Sequence, residues 1–271
     1  LSIFAPGLLN GRTALVTGGG SGLGHAIALE FARLGARVAV LGRRPEPLHE
    51  VVGEIEAASG EGLAVQADVR DYDQVAAAVA ATTGRFGGLD ILVNSAAGNF
   101  FCPTEKLSPN GWRTVVDIDL NGTFHCCKAA FAPLAASAYE GRIINIVTMH
   151  GPLGWPGQAH AGAAKAGIVS LGRSLAIEWA RDRIHVNSIS PGPIDGTEGV
   201  KRLYEDRDAL DLQKRRVALG RLGAPRDIAW AAAYLASPAG DFVTGADLVV
   251  DGGRWLNYVT NDAAAALEAR Q

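Results

Sequence analysis

Three stretches of this 271-residue chain carry residue types at spacings that can do chemistry. The first is Gly18-Gly19-Gly20-Ser21-Gly22-Leu23-Gly24. It follows a short β-rich run, residues 13–17, and precedes a helical stretch, residues 26–34. A strand, a glycine turn and a helix let the backbone bend tightly and approach a pyrophosphate, whose charge settles at the helix N-terminus. The second stretch is Gly42-Arg43-Arg44, at the end of a strand over residues 37–41. A site selective for NAD usually places Asp or Glu there to hold the ribose 2′-hydroxyl. Here no acid appears before Glu46. Two guanidiniums suit a 2′-phosphate, so NADP(H) is the expected cofactor, with a solvated basic turn as the plainer alternative. The third is Lys165, which closes the run His160-Ala161-Gly162-Ala163-Ala164 at the opening of a helix. A Lys on a helix surface is the alternative there.

The elements that must position these residues follow from periodicity and turn residues. Further strands are expected at residues 63–67, 89–93, 142–148, 184–190 and 247–250. Helices are expected at 71–86, 110–136, 160–181 and 225–236. Strands separated by helices of this length imply βαβ units. The fold class is therefore α/β, a single Rossmann-type domain over residues 1–271. Its sheet is doubly wound and parallel, with helices on both faces. Right-handed crossovers gather the strand ends, and with them the chemistry-bearing motifs, on one edge. Residues 195–216 are polar and charged and would form a mobile lid. Residues 254–271 are Ala-rich and read as a helical tail without catalytic residue types. The long helices 110–136 and 160–181 are apolar enough to pair between subunits, so a homo-oligomer is expected.

Composition narrows the function classes. Apolar residues make up 48% and charged residues 20%, a globular balance, and the formal net charge of −3 gives nucleic-acid binding no support. Cys102, Cys126 and Cys127 lack metal-ligand spacing, so no metal is expected and free thiols are the simplest reading. No apolar run approaches the length of a membrane span. The opening residues do not read as a secretory signal and Ala269-Arg270-Gln271 does not read as a peroxisomal address, so the expected location is cytoplasmic.

Taken together, the glycine run, Asn94-Ser95-Ala96-Ala97-Gly98, the Lys165 helix and Pro191-Gly192-Pro193-Ile194 resemble the short-chain dehydrogenase/reductase family. That resemblance implies a Tyr four residues before the Lys, a Ser thirteen before the Tyr, and an Asn in an Asn-Leu-x-Gly-x-Phe stretch. The chain departs from it at each place. Ala161 holds the Tyr position, Thr148 the Ser position and Asp119 the Asn position. The first change removes an acid, and the last adds an ionisable group near the same Lys. The resemblance also implies cofactor contacts for Gly18, Ser21, Gly22, Leu23, Gly24, Asp68, Val69, Asn94, Ala96, Lys165, Pro191, Gly192 and Ile194. For Asp68 the partner implied is the adenine amino group, and helix capping near Asp71 is the alternative.

A carbonyl reductase needs an acid within hydrogen-bond reach of the oxygen, and Ala161 supplies none. A conjugated thioester has another need. Hydride adds at the far end, the carbonyl oxygen takes charge and needs oriented donors, and a carbon is protonated, often through water. The missing Tyr, with Asn99-Phe100, Asp117-Ile118-Asp119, His160 to Lys165 and Gly192 to Gly199, resembles 2,4-dienoyl-CoA reductases, the peroxisomal-type branch in particular. The implied reaction is NADPH-dependent reduction of a 2,4-dienoyl-CoA to a 3-enoyl-CoA, with an acyl-CoA as substrate. That resemblance implies that Asn99 bonds the thioester oxygen and that Asp119 with Lys165 activates the protonating water. It also implies that Lys165 holds the nicotinamide ribose and that the assembly is a tetramer. Thr148 adds a hydroxyl to the site. His150 stands where the mitochondrial-type branch has a Tyr. Lys201 and Arg202 are candidates for CoA phosphates. Two alternatives stay open: a reductase of another enone, enoyl thioester or carbonyl with His150 or His160 as acid, and a non-catalytic NADP-binding subunit.

Overall fold

The computed structural model describes residues 3–149, 153–197 and 207–256. Seven strands run parallel in one sheet of order β3-β2-β1-β4-β5-β6-β7. They are β1 (Thr13–Thr17), β2 (Arg37–Gly42), β3 (Gly62–Gln66), β4 (Ile91–Asn94), β5 (Gly141–Ile146), β6 (Ile184–Pro191) and β7 (Asp247–Val250). β1, β4 and β5 are buried along their whole length. That is why they read as continuous apolar runs rather than alternating ones: helices cover both faces of a parallel sheet. The strand order reverses between β1 and β4, which pair directly with Thr17 opposite Asn94. A crevice at the strand ends opens at such a reversal.

Eight helices are described: α1 (Gly22–Arg33), α2 (Pro45–Ala57), α3 (Tyr72–Phe86), α4 (Pro109–Val116), α5 (Gly122–Ala135), α6 (Ala159–Glu178), α7 (Arg207–Arg216) and α8 (Pro225–Ala236). Two apolar layers sandwich the sheet. Ile27, Phe31, Leu48, Ile55, Ile228 and Ala232 from α1, α2 and α8 fill one face. Val75, Val79, Cys126, Ala130 and Leu175 from α3, α5 and α6 fill the other. Start and stop chemistry is local. Asp71 caps α3 by accepting the N–H groups of Asp73 and Gln74, and Gly87 ends the helix at φ +85°. Proline opens α2, α4 and α8, where its missing N–H costs nothing.

The expected helix 110–136 is one helical rod with a defect. Between α4 and α5, Asp117–Asn121 widens into a π turn. Such turns arise where an extra residue is accommodated, often at functional sites, and this one carries Asp119. Strand β5 ends at Ile146, two residues before Thr148, and its last bond to β6 runs from the Val147 N–H to the Ile189 carbonyl. A helix the sequence reading did not name, α2, connects β2 to β3. Within the expected lid, α7 forms a helix, and residues 198–206 lie outside the described set, as does the tail beyond Leu256. Cys102, Cys126 and Cys127 are free thiols. Burial raises the pKa of Cys126 and pushes Cys127 up to about 12, so both stay protonated. Among the described residues no helix is long and apolar enough to cross a membrane, and no group of metal-ligand residues converges.

Candidate active site

The β1–α1 turn is built so that backbone, not side chain, faces the crevice. Gly18 and Gly22 have φ of +63° and +56°, the left-handed region that glycine enters without penalty. A Cβ on Gly24 would run into the Gly18 carbonyl, so that glycine sets how closely α1 sits on β1. Ser21 precedes α1 in extended conformation and its side chain makes no cap bond. The first N–H groups of α1 are therefore left for an anion.

Two adjoining cavities meet at this turn and share Gly18, Ser21 and Ala97. The one of about 470 Å³ is lined by Gly20, Arg43, Arg44, Asp68, Val69 and Ala96, among others. Asp68 takes a bidentate pair from the Arg70 guanidinium, which holds its pKa below the usual carboxylate range. Capping of α3 belongs to Asp71, so the capping alternative for Asp68 falls away. The other cavity, of about 390 Å³, holds the reactive groups.

In that cavity Asp119 and Lys165 form a buried ion pair. Lys165 Nζ lies 3.2 Å from Asp119 Oδ2 and donates to the Ile146 carbonyl at 3.0 Å. The other carboxylate oxygen of Asp119 accepts the Gly98 N–H at 2.7 Å. Asp119 is 1% exposed and Lys165 7%. A carboxylate at this depth keeps its charge only when paired and hydrogen-bonded, as here. The π turn delivers Asp119 from one side and the first two turns of α6 deliver Lys165 from the other. Ala161 lines the same cavity one turn before Lys165 and presents only a methyl group. Thr148 and Asn99 are also in the wall. The Asn99 amide donates to Gln158 Oε1 at 3.0 Å.

Most of the sequence-predicted site residues reach these walls. Asn99, Asp119, Thr148, Lys165, Gly22, Leu23, Pro191, Gly192 and Ile194 line the smaller cavity, and Arg43, Arg44, Asp68, Val69 and Ala96 the larger. Two do not. Gly24 packs behind the turn, and Asn94 is directed into the protein. Its amide donates to Asn145 Oδ1 at 2.9 Å and to Cys127 Sγ at 3.4 Å, bracing β4 against β5. His160 is wholly buried, and among the described residues neither ring nitrogen makes a hydrogen bond of normal geometry, though the Phe100 backbone lies close to the ring. It packs on Phe100 with ring centroids 4.4 Å apart. His150, Lys201 and Arg202 lie outside the described residues.

The sequence reading missed Trp155, Gln158, Gln213 and Arg254, all in the wall of the smaller cavity. The segment 254–271, expected to carry no catalytic residue type, does contribute its first residue to the cavity wall. Arg254 is 3% exposed, its guanidinium 5.3 Å above the Trp155 ring. Its position directly after Asp251-Gly252-Gly253, at the end of β7, was the available signal, since every other strand end carries part of the site.

A doubly wound sheet with a glycine cradle at its switch point and a buried Asp–Lys pair beside it defines an oxidoreductase that uses a nicotinamide cofactor. The comparisons with known proteins agree. Residues 18–254 match the family model described as enoyl-(acyl carrier protein) reductase. A protein of Bacillus subtilis (strain 168) named "Probable 2,4-dienoyl-CoA reductase", of the (2E)-enoyl-CoA-producing type, is 42% identical over 91% of this chain and 97% of its own. The peroxisomal 2,4-dienoyl-CoA reductase of Arabidopsis thaliana, (3E)-enoyl-CoA-producing, is 43% identical over 94% of this chain and 88% of its own. Among solved structures, a short chain dehydrogenase from Bacillus anthracis aligns with TM-score 0.85 and 42% identity, covering 91% of this chain and 97% of that one. The chain belongs to the short-chain dehydrogenase/reductase family.

Proposed function

We propose that the protein reduces 2,4-dienoyl-CoA thioesters to 3-enoyl-CoA with NADPH, in the degradation of unsaturated fatty acids. The observation that carries this reading is the pairing of Asp119 with Lys165 beside Ala161. The site keeps a positioned carboxylate and a cation, and among the described residues its wall holds no phenol to protonate a carbonyl oxygen.

The glycine turn and the α1 N-terminus fit a pyrophosphate, and Arg43 and Arg44 fit a 2′-phosphate in the adjoining cavity. Lys165, with two of its three N–H groups engaged, holds the third for a ribose hydroxyl. When bound, reduced NADP supplies the hydride that adds to the far end of the conjugated system. The residues then manage charge. The Asn99 amide retains a second N–H for the thioester oxygen as it gains negative charge. Asp119 and Lys165 hold and polarise a water that delivers a proton to carbon. Gly98, whose N–H binds Asp119, is next to Asn99. The proton source is thus at the thioester end of the substrate, which favours protonation beside the thioester and a 3-enoyl product. The two named relatives differ on this point, one making the 2-enoyl and one the 3-enoyl product.

The experiment is oxidation of NADPH by the purified protein with 2,4-hexadienoyl-CoA, beside a simple ketone and a 2-enoyl-CoA, with the product identified by chromatography. Turnover of the dienoyl thioester alone, yielding the 3-enoyl product, is expected. A 2-enoyl product would move the proton source away from the thioester end. Ketone turnover would mean that another group has replaced the missing phenol.

A further inference from the structure

We infer that Gln158 is a positioning residue for the substrate oxygen site: it orients the Asn99 amide that meets the thioester carbonyl. This rests on the reading of Asn99 given above.

Residues 98–102 run past the site between two supports, with Asn99 in the cavity wall. At one end the Gly98 N–H is bound to Asp119 Oδ1 at 2.7 Å. At the other the Cys102 N–H is bound to the Gly157 carbonyl at 2.8 Å. Between them each side chain meets a residue just before or within the first turn of α6. Asn99 donates to Gln158, Phe100 packs on His160, and the Phe101 ring occupies the space a Cβ on Gly157 would need. Gly157 lies at φ +78°, so glycine is required there twice, by conformation and by the ring.

Gln158 is the polar member of this seam. It is 2% exposed and lines the same cavity as Asn99, Asp119 and Lys165. Its backbone is fixed on both sides, the N–H on the Trp155 carbonyl at 3.1 Å and the carbonyl on the Gly162 N–H at 2.9 Å. A primary amide has two N–H groups, and Gln158 accepts one of those on Asn99. That bond sets the plane of the Asn99 amide and so the direction of the remaining N–H. A donor works on a developing oxyanion only if it is already aimed there, because reorientation during reaction costs part of the gain. Without Gln158, Asn99 can turn about its side-chain torsions and present its carbonyl oxygen to the substrate oxygen instead.

The test uses Gln158→Leu and Gln158→Met, the second closer to Gln in length so that folding is preserved. Each is made alone and with Asn99→Ala, in the full chain. Turnover of 2,4-hexadienoyl-CoA is expected to fall about 10- to 100-fold, less than the roughly 10²- to 10³-fold lost with an oxyanion donor itself because the donor stays but is no longer aimed, with NADPH affinity unchanged. In the Asn99→Ala background the same change is expected to do nothing further, because the residue it acts through is gone. A second readout is the carbonyl stretch of bound, non-reducible hexanoyl-CoA, displaced from its solution frequency in the parent protein and returned toward it in Gln158→Met. Parent-like turnover in Gln158→Met, or a full loss that persists without Asn99, overturns the inference. A Gln158-dependent carbonyl shift in a protein that reduces no dienoyl thioester leaves the positioning role standing and removes the reaction.

Discussion

At the scale of single residues, the site is defined by what each polar group is bonded to. Asp119 touches both a cation and a backbone N–H, so Asp119→Asn keeps its shape while removing its charge. Turnover of the dienoyl thioester is expected to fall on the order of 10²- to 10⁴-fold, the range for loss of a positioned acid–base group, with NADPH binding nearly intact. Steady-state kinetics and fluorescence titration of NADPH check this, and unchanged turnover would remove Asp119 from the mechanism. His160 gives a pH dependence. Burial lowers its pKa below the ordinary 6.5, so the ring is neutral when folded and takes up a proton more readily when unfolded. Stability tied to this group is complete above pH 6.5 and is lost as pH falls from there through the lowered native value. With no hydrogen bond of normal geometry to either nitrogen among the described residues and only the Phe100 backbone close by, His160→Phe is expected to cost little near pH 7, and to flatten the loss between pH 6.5 and 5. Denaturant melts across that range decide it; an unchanged slope would mean that other groups set it. The departures at Ala161 and Thr148 were legible by spacing from Lys165, and the one at Asp119 from the Leu120-Asn121-Gly122-Thr123-Phe124 stretch that follows it. Gln158 and Arg254 were not, because their place in the wall depends on contacts across elements distant in the chain.

At the scale of elements, each strand of the sheet was legible to within about two residues, because each is a short β-rich run bounded by turn residues, continuous and apolar in the buried β1, β4 and β5. The π turn was not. Asp117–Asn121 continues the helical stretch on either side, and nothing in its residue types specifies the extra residue in its turn. The turn between β2 and α2 was read from the absence of an acid. Arg43 and Arg44 stand there beside Asp68 and Ala96 in the larger cavity. Charge-assisted bonds to a phosphate are worth about 1.5–3 kcal/mol each. Arg43→Ala with Arg44→Ala is therefore expected to weaken NADPH about 100-fold or more and NADH little, measured by titration of both cofactors. Equal loss for the two would mean that these arginines do not read the 2′-phosphate.

At the scale of the whole molecule, the sheet and its two apolar layers account for the buried faces of α1, α2, α3, α5, α6 and α8 but leave large apolar side chains in solvent. Trp112 on α4, Phe124 on α5 and Ile177 on α6 are 41%, 46% and 82% exposed. Phe124 and Lys128 lie one turn apart on α5, and Phe131 follows on the same side, its ring packed at a tilt against Trp179 at the end of α6. These helices cover one side of the sheet. Phe242 and Val249, also exposed, lie instead by the β7 edge. Apolar groups gathered in two separate places suit two different self-complementary contacts, which is what a tetramer of paired dimers needs. Light scattering on the eluting protein is expected to give about four times the 28.2 kDa chain mass. Phe124→Asp with Ile177→Asp is expected to halve that mass without unfolding the chain, since both side chains are already outside the core. A monomer at micromolar concentration would show that these side chains face solvent in the working protein, and that the Asp119–Lys165 site is complete within one chain.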